Sequence, residues 1–215
     1  MHNAMTPLEI LFQNYPQLAV CQDAIQNAVR LIGDCFAANG TLFTCGNGGS
    51  SADADHIAGE FLKGFCKKRP ADDKTRDALR QFAGEEDGAL LGEKLQRGLR
   101  CIPLGDFSSV LSAVRNDLDG QMDYAQVLYA LGRPGDVLLG ISTSGNSRNV
   151  KLASAVARTL GIKVIGLTGE KGGVLAQNAD IAIRVPVQET YRVQEFHLPI
   201  YHAICLCVEN RFFDR

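Results

Sequence analysis

Gly140-Ile-Ser-Thr-Ser-Gly-Asn-Ser147 decides how this chain is read. Its eight residues carry four hydroxyls, on Ser142, Thr143, Ser144 and Ser147, and two glycines. The apolar run that leads into it, Asp136-Val-Leu-Leu-Gly-Ile-Ser142, has the pattern of a buried strand. The stretch that follows, Asn149 to Arg158, places Val150, Leu152, Ala153, Val156 and Ala157 at helical spacing. A strand, a hydroxyl-rich turn and a helix together make an anion site. Free main-chain N–H groups and the positive helix end face the ligand, and short hydroxyls complete its shell. The turn has no lysine, which sets it apart from the loop that grips nucleoside triphosphates. A small phosphate monoester suits it better. The plainer alternative is a serine-rich surface turn with a good helix cap.

Working outward, the same grammar repeats. Residues 6 to 38 read as helical with a break near Pro16, and Thr41 to Cys45 as a strand. Gly46-Asn-Gly-Gly-Ser-Ser51 is a second strand-to-helix turn, with a helix expected to about Phe65. A short strand at Cys101 to Leu104 follows, then helices at 107 to 115 and 121 to 131. Strands at 163 to 168 and 180 to 185 flank a glycine-rich turn and a short helix. A long helix from about Thr190 to Asn210 closes the pattern. Alternating strands and helices predict an α/β fold, a doubly wound parallel sheet in one domain of 215 residues. Ligands in such sheets sit beyond the carboxyl ends of the strands, where strand order reverses. Both polar turns are expected there, around one ligand.

Residues 66 to 100 break the pattern. They hold 16 of the 46 charged residues, 9 basic and 7 acidic, so they read as a solvated arm inserted into the domain, with a helix from about Asp87 to Arg97.

Composition narrows the function classes. A net charge of -2 argues against a nucleic-acid surface, which needs a basic excess. No apolar run approaches the roughly 20 residues that span a bilayer, and the first residues lack the features of a signal peptide. Seven cysteines without a C-x-x-C pair read as reduced thiols acting as small core residues, in a cytoplasmic protein. Ser51 stands where the dinucleotide fingerprint needs glycine, so the first turn is not that motif.

Chemistry-bearing side chains gather in two helices. His56 and Glu60 are four apart and share a face just after the glycine turn; an ordinary surface pair of this kind contributes about 0.2–0.5 kcal/mol. The second group lies in Gln194-Glu-Phe-His-Leu-Pro-Ile-Tyr-His202, where His202 sits in an apolar stretch that also suits a core histidine. His197 is a weaker candidate, and His2 lies in a terminus expected to be disordered.

Gly46-Asn-Gly-Gly-Ser50, His56-x-x-x-Glu60, Asn116-Asp117, the serine turn, and Gln194 with His202 together resemble the sugar-isomerase (SIS) domain, and within it the phosphoheptose isomerase branch. The resemblance runs from about residue 18 to 210; the arm at 66 to 100 departs from it. It implies aldose–ketose isomerisation of sedoheptulose 7-phosphate to D-glycero-D-manno-heptose 7-phosphate. It implies a phosphate held by Ser142, Thr143, Ser144 and Ser147. Asn47, Gly48, Gly49, Ser50, Glu60, Asn116, Asp117 and Gln194 would line the rest of the substrate. Glu60 and His202 would be the catalytic pair, and His56, Glu60, Gln194 and His202 a zinc site. Gln194 and His202 are eight residues apart, roughly 12 Å along an unbroken helix, so one metal would not collect both from one chain. This spacing, with the resemblance, predicts a homo-oligomer, a tetramer, with shared sites. A non-catalytic sugar-phosphate-binding SIS module and an isomerase of another sugar phosphate remain open alternatives.

Overall fold

The computed structural model describes residues 5–213; His2 lies outside them. Five parallel strands form one sheet: β1 (Leu42–Cys45), β2 (Cys101–Pro103), β3 (Val137–Ser142), β4 (Lys163–Thr168) and β5 (Ile181–Arg184), in the order β2-β1-β3-β4-β5. Side chains alternate across the sheet as strand geometry requires. Val137, Leu139 and Ile141 of β3 enter one apolar cluster, while Leu138 enters the other. Both faces are therefore covered, which is why these strands read as continuous apolar runs.

One face packs on α1 (Pro7–Asn14), α2 (Gln22–Ala37), α3 (Gly49–Leu62) and α9 (Thr190–Phe213). The other packs on α5 (Ser108–Asp117), α6 (Asp123–Leu131), α7 (Arg148–Thr159) and α8 (Gly173–Asn178). Thr6 and Glu9 form a reciprocal capping box at the start of α1. Pro16 opens a short 3-10 turn, Pro16–Cys21, which separates α1 from α2 as the sequence implies.

From β1 the chain crosses to β2 at the sheet edge, then returns to β3 on the opposite side of β1. Strand order thus reverses between β1 and β3, which pair in register from Leu42↔Val137 to Cys45↔Gly140. The glycine turn leaves one carboxyl end and the serine turn leaves the other, feeding α3 and α7 on opposite faces. The crevice between them is the switch point.

Three details differ from the sequence reading. The arm contains more helix than Asp87 to Arg97: α4 spans Asp73–Lys94 and reverses at Gly84, whose φ is 81°. Gly88 lies against Arg80 and Gly92 against Arg76, so the two limbs run back along each other as a helical hairpin. Asp72 caps the first limb by accepting from Thr75 N at 2.8 Å. Helix α3 ends at Leu62 rather than near Phe65, because Lys63 is extended. Cys66 is exposed and is not a core residue, whereas five cysteines are buried and all seven are free thiols. No helix among the described residues is long and apolar enough to cross a membrane.

Candidate active site

The serine turn is held by bonds within itself and from the neighbouring loop. Gly145 N donates to Ser142 O at 3.0 Å, closing the turn. The Ser142 and Ser147 hydroxyls share a hydrogen bond at 3.0 Å, and Asn146 N donates to Ser144 Oγ at 3.2 Å. From the neighbouring loop, Gly169 N donates to Thr143 O and Leu175 N to Gly145 O, at 3.0 and 2.9 Å. Gly145 has φ 68°, and a methyl group there would run into the Gly172 carbonyl, so only glycine fits. Ser147 precedes α7 without capping it through its side chain, which leaves N–H groups of the first turn for an anion. All four hydroxyls anticipated from the sequence therefore line one turn.

Across the switch point, the glycine turn is pinned to the other layer by amides. Asn47 and Asn149 exchange two hydrogen bonds, each 2.9 Å, and Asn149 also reaches Asp123 Oδ1 at 3.3 Å. Arg115 pairs with Asp123 at 2.8 Å, and the Tyr124 hydroxyl donates to Gly46 O. Burial pushes the Tyr124 phenol up to about 12, keeping it a donor. Gly48 opens α3 with φ 57°. A methyl group on Gly49 would overlap the Gln194 amide, so Gln194 lies against the start of α3. Ser50 is buried beneath the turn. Asn116 and Asp117 bond to each other at 2.7 Å at the end of α5, beside an open groove of Ser108, Ser109, Ser112 and Ala113. Among the described residues, no hydrogen bond joins those two to either turn.

Helices α3 and α9 lie side by side and run the same way. Gln194 meets Gly49, Tyr201 meets Asp53 and His56, and Glu209 meets residues 65 to 67. This brings His202 to the His56–Glu60 pair: ligand atoms of all three lie within 4.8 Å of one another. His56 Nε2 is 3.0 Å from Glu60 Oε1, and its Nδ1 is 3.0 Å from the Tyr201 hydroxyl, which donates to Asp53 Oδ1 at 3.1 Å. With the Tyr201 proton on Asp53, the His56 tautomer whose Nδ1–H donates to the Tyr201 oxygen turns its Nε2 lone pair toward Glu60, where a metal cation would fit between them. His202 Nε2 is buried without a partner. Burial and then His56 hold His202 below the usual histidine value against the pull of Glu60, so it is a neutral imidazole near pH 7. Two imidazoles, a carboxylate and an outer hydroxyl–carboxylate support form a donor set that fits zinc. Gln194, against Gly49, stands with the glycine turn rather than with these three.

Sequence reasoning missed Tyr201, Asn149, Asp123 and the buried pair Arg69 and Glu209, whose contacts span as many as 148 positions in the chain.

Two stretches, residues 121–206 and 17–87, match models of the SIS domain. That is the class this sheet, with its paired turns at the switch point, defines. Phosphoheptose isomerases from Akkermansia muciniphila and Yersinia pestis are 33% and 40% identical over 200 and 189 residues; these cover 93% and 87% of this chain and 92% and 83% of theirs. The solved phosphoheptose isomerase of Neisseria gonorrhoeae aligns with TM-score 0.69 at 30% identity, over 95% of this chain and 100% of its own. That of Francisella tularensis aligns with TM-score 0.71 at 28% identity, over 96% and 100%. The chain belongs to the phosphoheptose isomerase family.

Proposed function

We propose that this chain interconverts sedoheptulose 7-phosphate and D-glycero-D-manno-heptose 7-phosphate. The observation that carries the reading is the convergence of Glu60 and His202 on parallel helices, one of which starts at the switch-point crevice that holds the serine turn. The family and its relatives' activity support it.

Isomerisation moves a proton between C1 and C2 while the carbonyl shifts the other way. The serine turn holds the phosphate at the unreactive end, so binding energy orients the distant carbons. Glu60, largely buried, moves the carbon-bound proton. Neutral His202 takes and returns protons on the oxygens. Positioned acid–base groups of this kind contribute about 10²–10⁴-fold each. Zinc, when held by His56, Glu60 and His202, would occupy the His202 lone pair and supply in its place a Lewis acid that polarises the carbonyl. Asn47, Gly48 and Gly49 line the substrate path beside the phosphate, with buried Ser50 behind them.

Helix α9 continues through Pro199, so Gln194 and His202 stay about two turns apart. In this reading the site is shared, with one of these two side chains arriving from a neighbouring protomer, and the working form is a homo-oligomer, a tetramer by family resemblance. Its free thiols suit the cytoplasm.

The test is a panel of ketose and aldose phosphates, assayed with zinc-loaded and chelated protein. Sedoheptulose 7-phosphate should turn over. Glu60→Gln and His202→Ala should each lower kcat by about 10²-fold or more, with inorganic phosphate still bound. Sugar-phosphate binding without turnover in the loaded protein would refute the isomerase reading and leave a binding module.

A further inference from the structure

The geometry assigns Arg69 and Glu209 as positioning residues that fix the Glu60 main chain against the helix carrying His202. The inference rests on the isomerase reading and deepens it. Arg69 is 1% exposed and Glu209 is fully buried. Burying two charges is costly unless every polar atom is satisfied. Here the satisfaction is directed at one place.

Arg69 Nη2 donates to Glu60 O at 3.0 Å and Nη1 to Phe61 O at 2.8 Å. Those carbonyls belong to the last turn of α3, where no helical N–H follows to receive them. Arg69 Nε donates to Glu209 Oε1 at 2.9 Å. The Glu209 carboxylate also accepts from Phe65 N at 2.9 Å, Cys66 N at 2.9 Å and Lys67 N at 3.2 Å, the segment by which the chain leaves α3. Partners hold Glu209 below the usual glutamate value against its burial, so it is a carboxylate.

Glu209 lies seven residues after His202, two turns along the same face of α9. The guanidinium therefore spans from the peptide carbonyl of the proposed base to the helix that carries the proposed acid. The Phe213 ring packs 4.6 Å from the Arg69 guanidinium carbon, backing the fork from the far side. Arg97 N donates to Arg69 O at 2.6 Å, so the returning root of the hairpin is mounted on the same residue. Two of the three guanidinium nitrogens, Nη1 and Nη2, thus reach the carbonyls of Phe61 and Glu60, while Nε and Nη2 hold the Glu209 carboxylate, Nη2 at 2.7 Å.

Arg69→Lys tests this, because one ammonium cannot span two carbonyls and a carboxylate. The paired variant Arg69→Gln/Glu209→Gln removes both charges together, which avoids stranding one of them. Circular dichroism and urea unfolding first establish that each full-length variant is folded. Then kcat and KM on sedoheptulose 7-phosphate are measured, with affinities for Zn²⁺ and inorganic phosphate by calorimetry. Positioning predicts that kcat and Zn²⁺ affinity each fall by about 10–100-fold, the range for residues that orient a ligand set. KM and phosphate affinity should stay within roughly twofold of wild type, since the serine turn is untouched. The inference is overturned if a folded variant keeps kcat and Zn²⁺ affinity within that twofold margin, or if phosphate affinity falls in parallel with them. Should the wild type bind Zn²⁺ without turnover, the isomerase reading fails while the zinc arm still judges the pair. Should it turn over without Zn²⁺, kcat against phosphate affinity judges it.

Discussion

His197 makes the stability of the α9 layer depend on pH, with a predictable sign and size. Its ring is fully buried, neither nitrogen has a hydrogen-bond partner, and burial pushes it down from 6.5 to about 4, partly opposed by the Thr168 main chain. An unfolded chain returns the imidazole to its ordinary value. Between pH 6.5 and 4 the unfolded chain therefore binds a proton that the native protein refuses, and stability falls as pH drops through that window. Above pH 6.5 the contribution is complete and flat. A gap of about 2.5 pH units corresponds to about 3 kcal/mol in all, of which about 2 kcal/mol is lost between pH 8 and pH 5. His202, also held low, adds the same sign. The assay is urea unfolding at pH 8 and pH 5, at fixed protein concentration and with chelator, on wild type and His197→Leu. Leucine fills a similar volume and has no proton to bind, so the wild type should lose about 2 kcal/mol more than the variant. An equal pH dependence in the two proteins would refute the reasoning, because the acid sensitivity would then come from elsewhere.

Two further outcomes follow from the geometry. Gly145→Ala should weaken inorganic phosphate binding about tenfold or more by calorimetry, since a left-handed residue costs about 1–2 kcal/mol and the added methyl meets the Gly172 carbonyl; Gly135→Ala, with φ 93° and open space around it, should lose stability but keep phosphate affinity. If sites are shared, coexpressed Glu60→Gln and Gln194→Ala chains, each nearly inactive alone, should regain activity in mixed oligomers, and the absence of recovery would show that each chain serves its own site.

Strand and turn positions were legible because their causes are local. Eight residues hold every hydroxyl of the serine turn, and the apolar run before it has the length and composition of a strand buried on both faces. Even the meeting of the two turns was readable, since alternating strands and helices constrain where a crevice forms. The hairpin was less so. Its limbs are largely exposed and lack a continuous apolar face, and the sharp reversal at Gly84 interrupts the helical period on which such readings depend. Its start is set by Asp72, which accepts from Thr75 N, a cap that the surrounding charge hides from a reading of periodicity.

The candidate site divides along the same line. His56 and Glu60 are neighbours because helical geometry makes them so, and any reader of the sequence can find them. His202 joins them only because α3 and α9 lie parallel in one particular register, and nothing local encodes a register between segments about 140 positions apart. Three contacts set it: Gln194 at Gly49, Tyr201 at Asp53 and His56, and Glu209 at the exit from α3. The first requires glycine at position 49, the second a hydroxyl between a carboxylate and an imidazole, the third a buried ion pair. A slip of one helical turn, about 5.4 Å, would break all three and carry His202 beyond reach of Glu60. The residues that determine the chemistry are thus wider than those that perform it, and the difference lies in side chains whose partners are distant in sequence.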